Sequence, residues 1–209
     1  MKNSDRVQIV NESVDFVIRK WTSIKPLLSC IEEAKAEIPS WLTKRLSSEI
    51  TSQLSIYSKD EWKKYDYDDY LNFFPLTYYN ERKELGIYFG VEGLSFNKLN
   101  AEVDDEGPII YACADIPRLG AQRNRVLANL QNHRSRVQKK LNSKYFIIPP
   151  QEWDKKNWTY LFWRPLRPQL DLDALSYDPE SAIRAAAKSV VQFIEPIVPT
   201  LKEMKCFWN

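Results

Sequence analysis

Leu42, Leu46, Ile50 and Leu54 recur at steps of four in WLTKRLSSEITSQLSIY. At about 3.6 residues per turn, such a series stays on one side of a helix and makes a seam that must be buried on something. Further along, the period changes. ELGIYFGVEG alternates, so Ile87, Phe89 and Val91 share one strand face and Tyr88 takes the other; PIIYACADI predicts a second strand over Ile109–Ala114. Asp104–Gly107 reads as a turn, and the two strands, with LSFNKLNAEV between them, read as an antiparallel meander. A one-sided helix and one-sided strands bury each other as layers, which predicts an α+β fold.

The remaining segments extend that reading. Val14, Val17, Ile18 and Trp21 fall at helical spacing, and Leu27, Leu28, Ile31 and Ala34 continue an apolar face toward Ile38. Pro26 is expected to kink or restart this helix, and Ser40, after Pro39, to open the next. SKDEWKKYDYDDYLNFF, charged and aromatic, reads as a loop or a short wet helix. A basic helix is expected from about Gly120 to Leu141, followed by strands in KYFIIPP and NWTYLFWRPL. In the terminal DPESAIRAAAKSVVQFIEPIVPTLKEM, Asp178 suits an N-cap, Pro179 the first helical position and Glu180 the positive end of the dipole. Its inner stripe is Ile183, Ala187, Val190 or Val191, and Ile194, with Pro196 and Pro199 kinking or ending it. The expected architecture is a mainly antiparallel sheet with helices packed on it. An N-terminal helical segment (1–58) and an α+β domain (59–209) are expected to form one compact unit.

Composition narrows the chemistry. With 44% hydrophobic residues in 209, the chain can bury a core without disulfides or metals. Five glycines leave little room for a phosphate-cradling glycine loop, and a net charge of +2 does not by itself imply a polyanion partner. Cys30, Cys113 and Cys206 are far apart without metal-ligand spacing, and His133 is the single histidine, so no metal or cofactor is expected. The N-terminal residues show no apolar signal region, and no stretch reaches the roughly 18–20 apolar residues of a membrane span. A reduced, cytoplasmic setting is expected.

One stretch departs from the balanced charge. Arg118, Arg123, Arg125, Arg134, Arg136, Lys139, Lys140 and Lys144 lie in or beside the basic helix, within an acid-free run from Ile116 to Gln151. Arginine pairs bidentately with phosphate and lysine acts as a point charge, so the helix is a candidate nucleic-acid or anion contact. Leu127, Leu130, Val137 and Leu141 show that one face is apolar, and the same pattern fits a helix whose charged face is only solvated. Glu61–Lys63 and Glu33–Lys35 match the minimal Glu-x-Lys spelling of metal-dependent nucleases, but a tripeptide of this kind is common by chance and both read as surface positions. Trp163 beside Arg164 and Arg167, with Trp153 and Trp158 upstream, could stack bases; core packing is the commoner role of such rings. YDYDDY at Tyr65–Tyr70 could face a basic surface or be a solvated loop.

Three features carry a family resemblance: the aromatic strand LGIYFGVEG, the Trp-aromatic run NWTYLFWRPL, and a last helix that opens on Asp-Pro-Glu and closes on Ile-Glu-Pro-Ile. Over roughly Glu84–Met204 the chain resembles the C-terminal region of a bacterial and phage family in the PD-(D/E)XK nuclease superfamily. In that family the catalytic elements precede this region. Here the preceding chain is short and helical, and no catalytic residue is carried over. The resemblance implies a nuclease-like sheet-and-helix module without its catalytic motif. The expectation is a non-enzymatic phage or bacterial protein that contacts a protein or nucleoprotein complex in host defence or nucleic-acid processing. The alternatives are a divergent metal-dependent nuclease and a nucleic-acid binder using the basic helix over 118–144.

Overall fold

The computed structural model describes residues 13, 14, 16–57, 62–75, 87–101, 107–115, 124, 125, 128, 129, 132, 146, 147 and 158–203. The chain divides into two units, Met1–Ile38 and Pro39–Asn209. The first is described by helical residues from 13 onward. Lys20 interrupts them only slightly: its N–H donates to the Phe16 carbonyl at 3.0 Å, and the Ile24 N–H donates to the Lys20 carbonyl at 2.9 Å. Helix α1, Trp21–Tyr57, then runs without a break through Pro26 and Pro39 into the second unit. The expected restart at Ser40 is therefore corrected. A proline deletes one i→i−4 bond, and at Pro26 the residue four back, Thr22, is exposed, so water can take the vacated bond.

In the second unit the seam is buried as its spacing requires: Leu42, Leu46 and Ile50 are wholly inaccessible and Leu54 nearly so. The unit therefore takes in α1 from Pro39 onward. Two buried hydroxyls share the seam and each has a partner. Thr43 donates to the Asp68 carbonyl at 3.2 Å and Ser47 to Asp66 Oδ1 at 2.7 Å.

Those partners belong to a hairpin where a loop or wet helix was expected. Strands β1 (Trp62–Asp66) and β2 (Tyr70–Pro75) pair antiparallel around the acidic turn. Leu71 and Phe73, two apart, are both buried, and it is this period of two that the surrounding charge obscured. Strands β3 (Ile87–Glu92), β4 (Ile109–Asp115), β5 (Phe146–Ile147) and β6 (Trp158–Pro165) follow, with a four-residue helix α2, Phe96–Leu99, between β3 and β4. The fold is α+β. The sheet is antiparallel and six-stranded, in the order β1-β2-β3-β4-β6-β5.

Helix α3, Leu172–Tyr177, was not expected; helix α4 is Pro179–Glu203. The cap of α4 forms as its sequence predicts. Asp178 accepts from the Ser181 N–H at 3.1 Å and from the Ser181 hydroxyl at 2.7 Å. These bonds hold its carboxyl below the ordinary value of 3.8, so the cap is intact above that pH and is lost as pH falls through the depressed value. Pro196 and Pro199 lie inside α4 and do not end it. Phe193, Ile194 and Ile197 are buried around them, and this anchorage offsets the missing bonds.

Helix α4 and the part of α1 from Pro39 onward lie on one sheet face. Residues directly opposite in antiparallel strands share a face. Asp66 pairs with Leu71, Leu71 with Val91, Val91 with Ile110, and Ile110 with Arg164. Asp66 holds α1 through Ser47. Arg164 donates to the Ser189 carbonyl of α4 at 2.5 Å and sits 5.8 Å from the Phe193 ring. The neighbouring row Phe73–Phe89–Ala112–Phe162 completes this side of the core.

Candidate functional site: a tyrosine-lined cavity

The other face of the sheet is built differently. Tyr65, Asn72, Gly90, Tyr111 and Trp163 form one cross-strand row. Tyr88, Cys113 and Tyr160 form the next row on one side, and Tyr70 and Glu92 pair on the other. These rows line a cavity of about 280 Å³ bounded by Tyr70, Asn72, Tyr88, Glu92, Tyr111, Cys113 and Tyr160. The position of Tyr160 depends on an irregularity. The register with β4 shifts between Ala112 and Cys113, so Leu161 is the extra residue and Tyr160 comes opposite Cys113. A bulge of this kind re-aims a side chain without ending the strand.

Gly90 makes room for the centre of the site. A Cβ built there would come within 2.4 Å of the Tyr111 ring and hydroxyl and 2.6 Å of Asn72 Oδ1. The Tyr111 ring thus crosses β3 over a bare backbone and donates its hydroxyl to Asn72 Oδ1 at 2.8 Å. Gly90→Ala should push the ring aside, break this bond and cost about 1–3 kcal/mol. Urea denaturation checks the loss; an unchanged midpoint would show that the ring does not need the gap.

The rings meet at angles and do not stack. Tyr111 and Tyr160 have centroids 5.0 Å apart at 54°, and Tyr88 meets Tyr111 edge-on at 6.4 Å. Tyr160 donates to Glu92 Oε1 at 2.5 Å. Burial pushes the Tyr88 hydroxyl well above 10.0, helped by Cys113; burial does the same for Tyr111, helped by the charge of Glu92. Both hydroxyls therefore stay neutral donors at physiological pH. An unfolded tyrosine ionises at 10.0, while these keep their protons. The stability they contribute is complete below that pH and declines above it. For a well-buried group such as Tyr111 the slope approaches ~1.4 kcal/mol per pH unit. Alkaline melts should show this decline, and Tyr111→Phe should reduce it.

Of the residues singled out in the sequence, Tyr70 of YDYDDY and Cys113 line this cavity, and Arg125, the described member of the basic set, does not. Arg125 is exposed on a helical turn. Arg118, Arg123, Arg134, Arg136, Lys139, Lys140 and Lys144 lie outside the described residues, as do Glu61, His133, Trp153 and Cys206. Glu33 accepts from Ser29 at 3.2 Å on an exposed helix side, and Lys35 pairs with Glu32 at 2.7 Å, so Glu33 and Lys35 do not converge. Trp163 and Arg164 project to opposite sheet faces, which removes them as one stacking platform. Arg167 donates to the Leu99 and Ala101 carbonyls and so is held in the fold. YDYDDY is the hairpin turn, with Tyr67 and Tyr70 stacked at 4.2 Å. Cys30 is exposed and Cys113 buried. Among the described residues no three His, Cys, Asp or Glu side chains come together to hold a metal, and no helix is long and apolar enough to cross a membrane.

The cavity residues were overlooked because they fill the polar positions of strands read for their apolar ones. A signal was present. Tyr88 and Glu92, and Tyr111 and Cys113, alternate with core residues, yet most are aromatic or sulfur-bearing where a solvated strand face carries Lys or Thr. Compared with models of protein families, with curated proteins and with solved structures, the chain matches none.

Proposed function

We propose that this chain is a non-enzymatic interaction protein whose contact surface is the apolar side of its N-terminal helix, and that the occupant is an amphipathic helix of a protein partner. The observation that carries the reading is exposure. Val14, Val17, Ile18, Trp21, Leu27, Leu28 and Ile31 are between 39% and 69% accessible. Scattered apolar residues on a surface are ordinary; a contiguous stripe is not.

Its spacing points to the occupant. Val14, Val17, Trp21, Ile24, Leu28, Ile31, Lys35 and Ile38 advance by alternating steps of three and four. That is a heptad seam, which another helix with the same repeat fills knobs-into-holes. Pro26 falls on the opposite side of the helix, clear of the seam. Lys35 interrupts the apolar series at one position, a device that selects register.

The bacterial or phage setting, and a target in host defence or nucleic-acid processing, rest on the family resemblance. Affinity capture from a bacterial lysate, with and without nuclease, tests the reading against Ile24→Asp/Ile31→Asp. A partner that survives nuclease and is lost by the double variant supports it. A partner lost with nuclease but kept by the variant would favour a nucleic-acid contact, in which case Arg123→Gln/Arg134→Gln/Lys140→Gln should weaken binding at low salt. Sedimentation velocity reads a second copy as occupant: a concentration-dependent dimer abolished by Ile24→Asp/Ile31→Asp.

A further inference from the structure

We infer that the tyrosine-lined cavity is a binding site for a small organic ammonium ion. It is independent of the helix and of any partner there.

Charge comes first. Among the described residues of the cavity wall Glu92 is the formally charged one, and its carboxylate is close enough to Tyr111 to raise that hydroxyl's pKa. An anion entering here meets this charge at short range; a cation is attracted by it. The surfaces around the carboxylate act in the same direction. Tyr70, Tyr88, Tyr111 and Tyr160 contribute aromatic rings, and an aromatic face carries negative potential that attracts cations. Because Tyr111 is tilted against both Tyr88 and Tyr160, the rings form a corner and not a flat stack.

The hydrogen bonds narrow the ligand further. The Tyr111 hydroxyl is directed at Asn72 Oδ1 and the Tyr160 hydroxyl at Glu92 Oε1. Two of the strongest donors on the wall are thus turned to acceptors on the wall. A ligand rich in acceptors, such as a phosphate or carboxylate, would have to take those donors away. An ammonium ion is served by the Glu92 charge and the surrounding rings, and one that carries N–H groups also by the acceptors Asn72 Oδ1 and Glu92 Oε1. Size sets the remaining limit. A volume of 280 Å³ holds about ten non-hydrogen atoms, enough for a substituted ammonium and too little for a nucleotide. The same wall explains why the bulge and the glycine matter: Leu161 brings Tyr160 to Glu92, and Gly90 lets Tyr111 cross to Asn72.

Isothermal titration of the full chain tests the proposal with choline and with 3,3-dimethyl-1-butanol, its uncharged counterpart of the same shape. Choline should bind at least about tenfold more tightly than the alcohol, the factor expected for a desolvated cation–π contact reinforced by a carboxylate. Glu92→Gln keeps the shape and an acceptor for Tyr160 but removes the charge; it should lose most of that preference while melting like the parent. Tyr88→Leu should weaken choline and leave the alcohol nearly unaffected. Equal binding of choline and the alcohol, tighter binding of acetate than of choline, or no binding of choline, tetramethylammonium or butylammonium would each overturn the assignment.

Discussion

Ala187→Asp should lower the stability of the second unit by roughly 3–5 kcal/mol, the cost of an uncompensated buried charge, and reduce Tm by about 10 °C. Ala187 is wholly inaccessible, in the stripe of α4 with Ile183, Val190 and Ile194. It shares that face with Ala186, and small residues here let the helix lie close to the sheet. An Asp at this position has no cation assigned to it: the nearest basic side chains in sequence, Arg184 and Lys188, are on exposed positions. The carboxylate must be desolvated, or protonated at the expense of stability. Ala185→Asp is the matched control, because Ala185 is exposed on the same turn and should move stability by no more than ~0.5 kcal/mol. Thermal melts of the pair measure the difference. Equal melts would mean that α4 does not pack through this stripe.

Phe89→Ala should cost about 3–5 kcal/mol in urea denaturation. Phe89 is 1% accessible on the central strand β3, with Phe73 opposite it on β2 and Ala112 opposite on β4. Its ring lies 6.3 Å from that of Trp62. Ala112 is too small to fill the vacated volume, and Phe73 is already enclosed, so the site collapses little. Its neighbour Tyr88 gives the contrast. Tyr88→Phe retains the ring and removes one hydroxyl on the cavity side, for a cost under about 1.5 kcal/mol. Comparable losses at the two positions would contradict the division into a packed helix-facing side and a polar cavity side.

Periodicity was legible wherever an element keeps one apolar face. The steps of four from Leu42 to Leu54, the alternation of Ile87, Phe89 and Val91, and the Asp178–Pro179–Glu180 cap each announced an element that formed, because local geometry and burial demand the same residues there. Where charge accompanied the pattern, it misled. Tyr65–Tyr70 reads as wet because its acids are exposed in sequence, yet Asp66 and the Asp68 carbonyl receive hydrogen bonds from buried Ser47 and Thr43, which no local pattern could announce. Prolines misled for the opposite reason. Pro26, Pro39, Pro196 and Pro199 each weaken a helix locally, and the helices continue regardless because one lost bond is small beside the burial of a whole face at Leu42–Leu54 and Phe193–Ile197.

By itself the sequence determined the layers: which residues of each helix and strand turn inward follows from a period of 3.6 or 2 and the hydrophobic effect. The tertiary structure alone decided the site. Tyr111 and Asn72 are 39 residues apart, and Tyr160 and Glu92 are 68 apart. Their meeting depends on the strand order, on a single-residue register shift at Ala112/Cys113, and on the absence of a side chain at Gly90. Strand order and register arise from pairing between distant segments, where the free-energy differences lie in packing across strands and not in any residue's own preference.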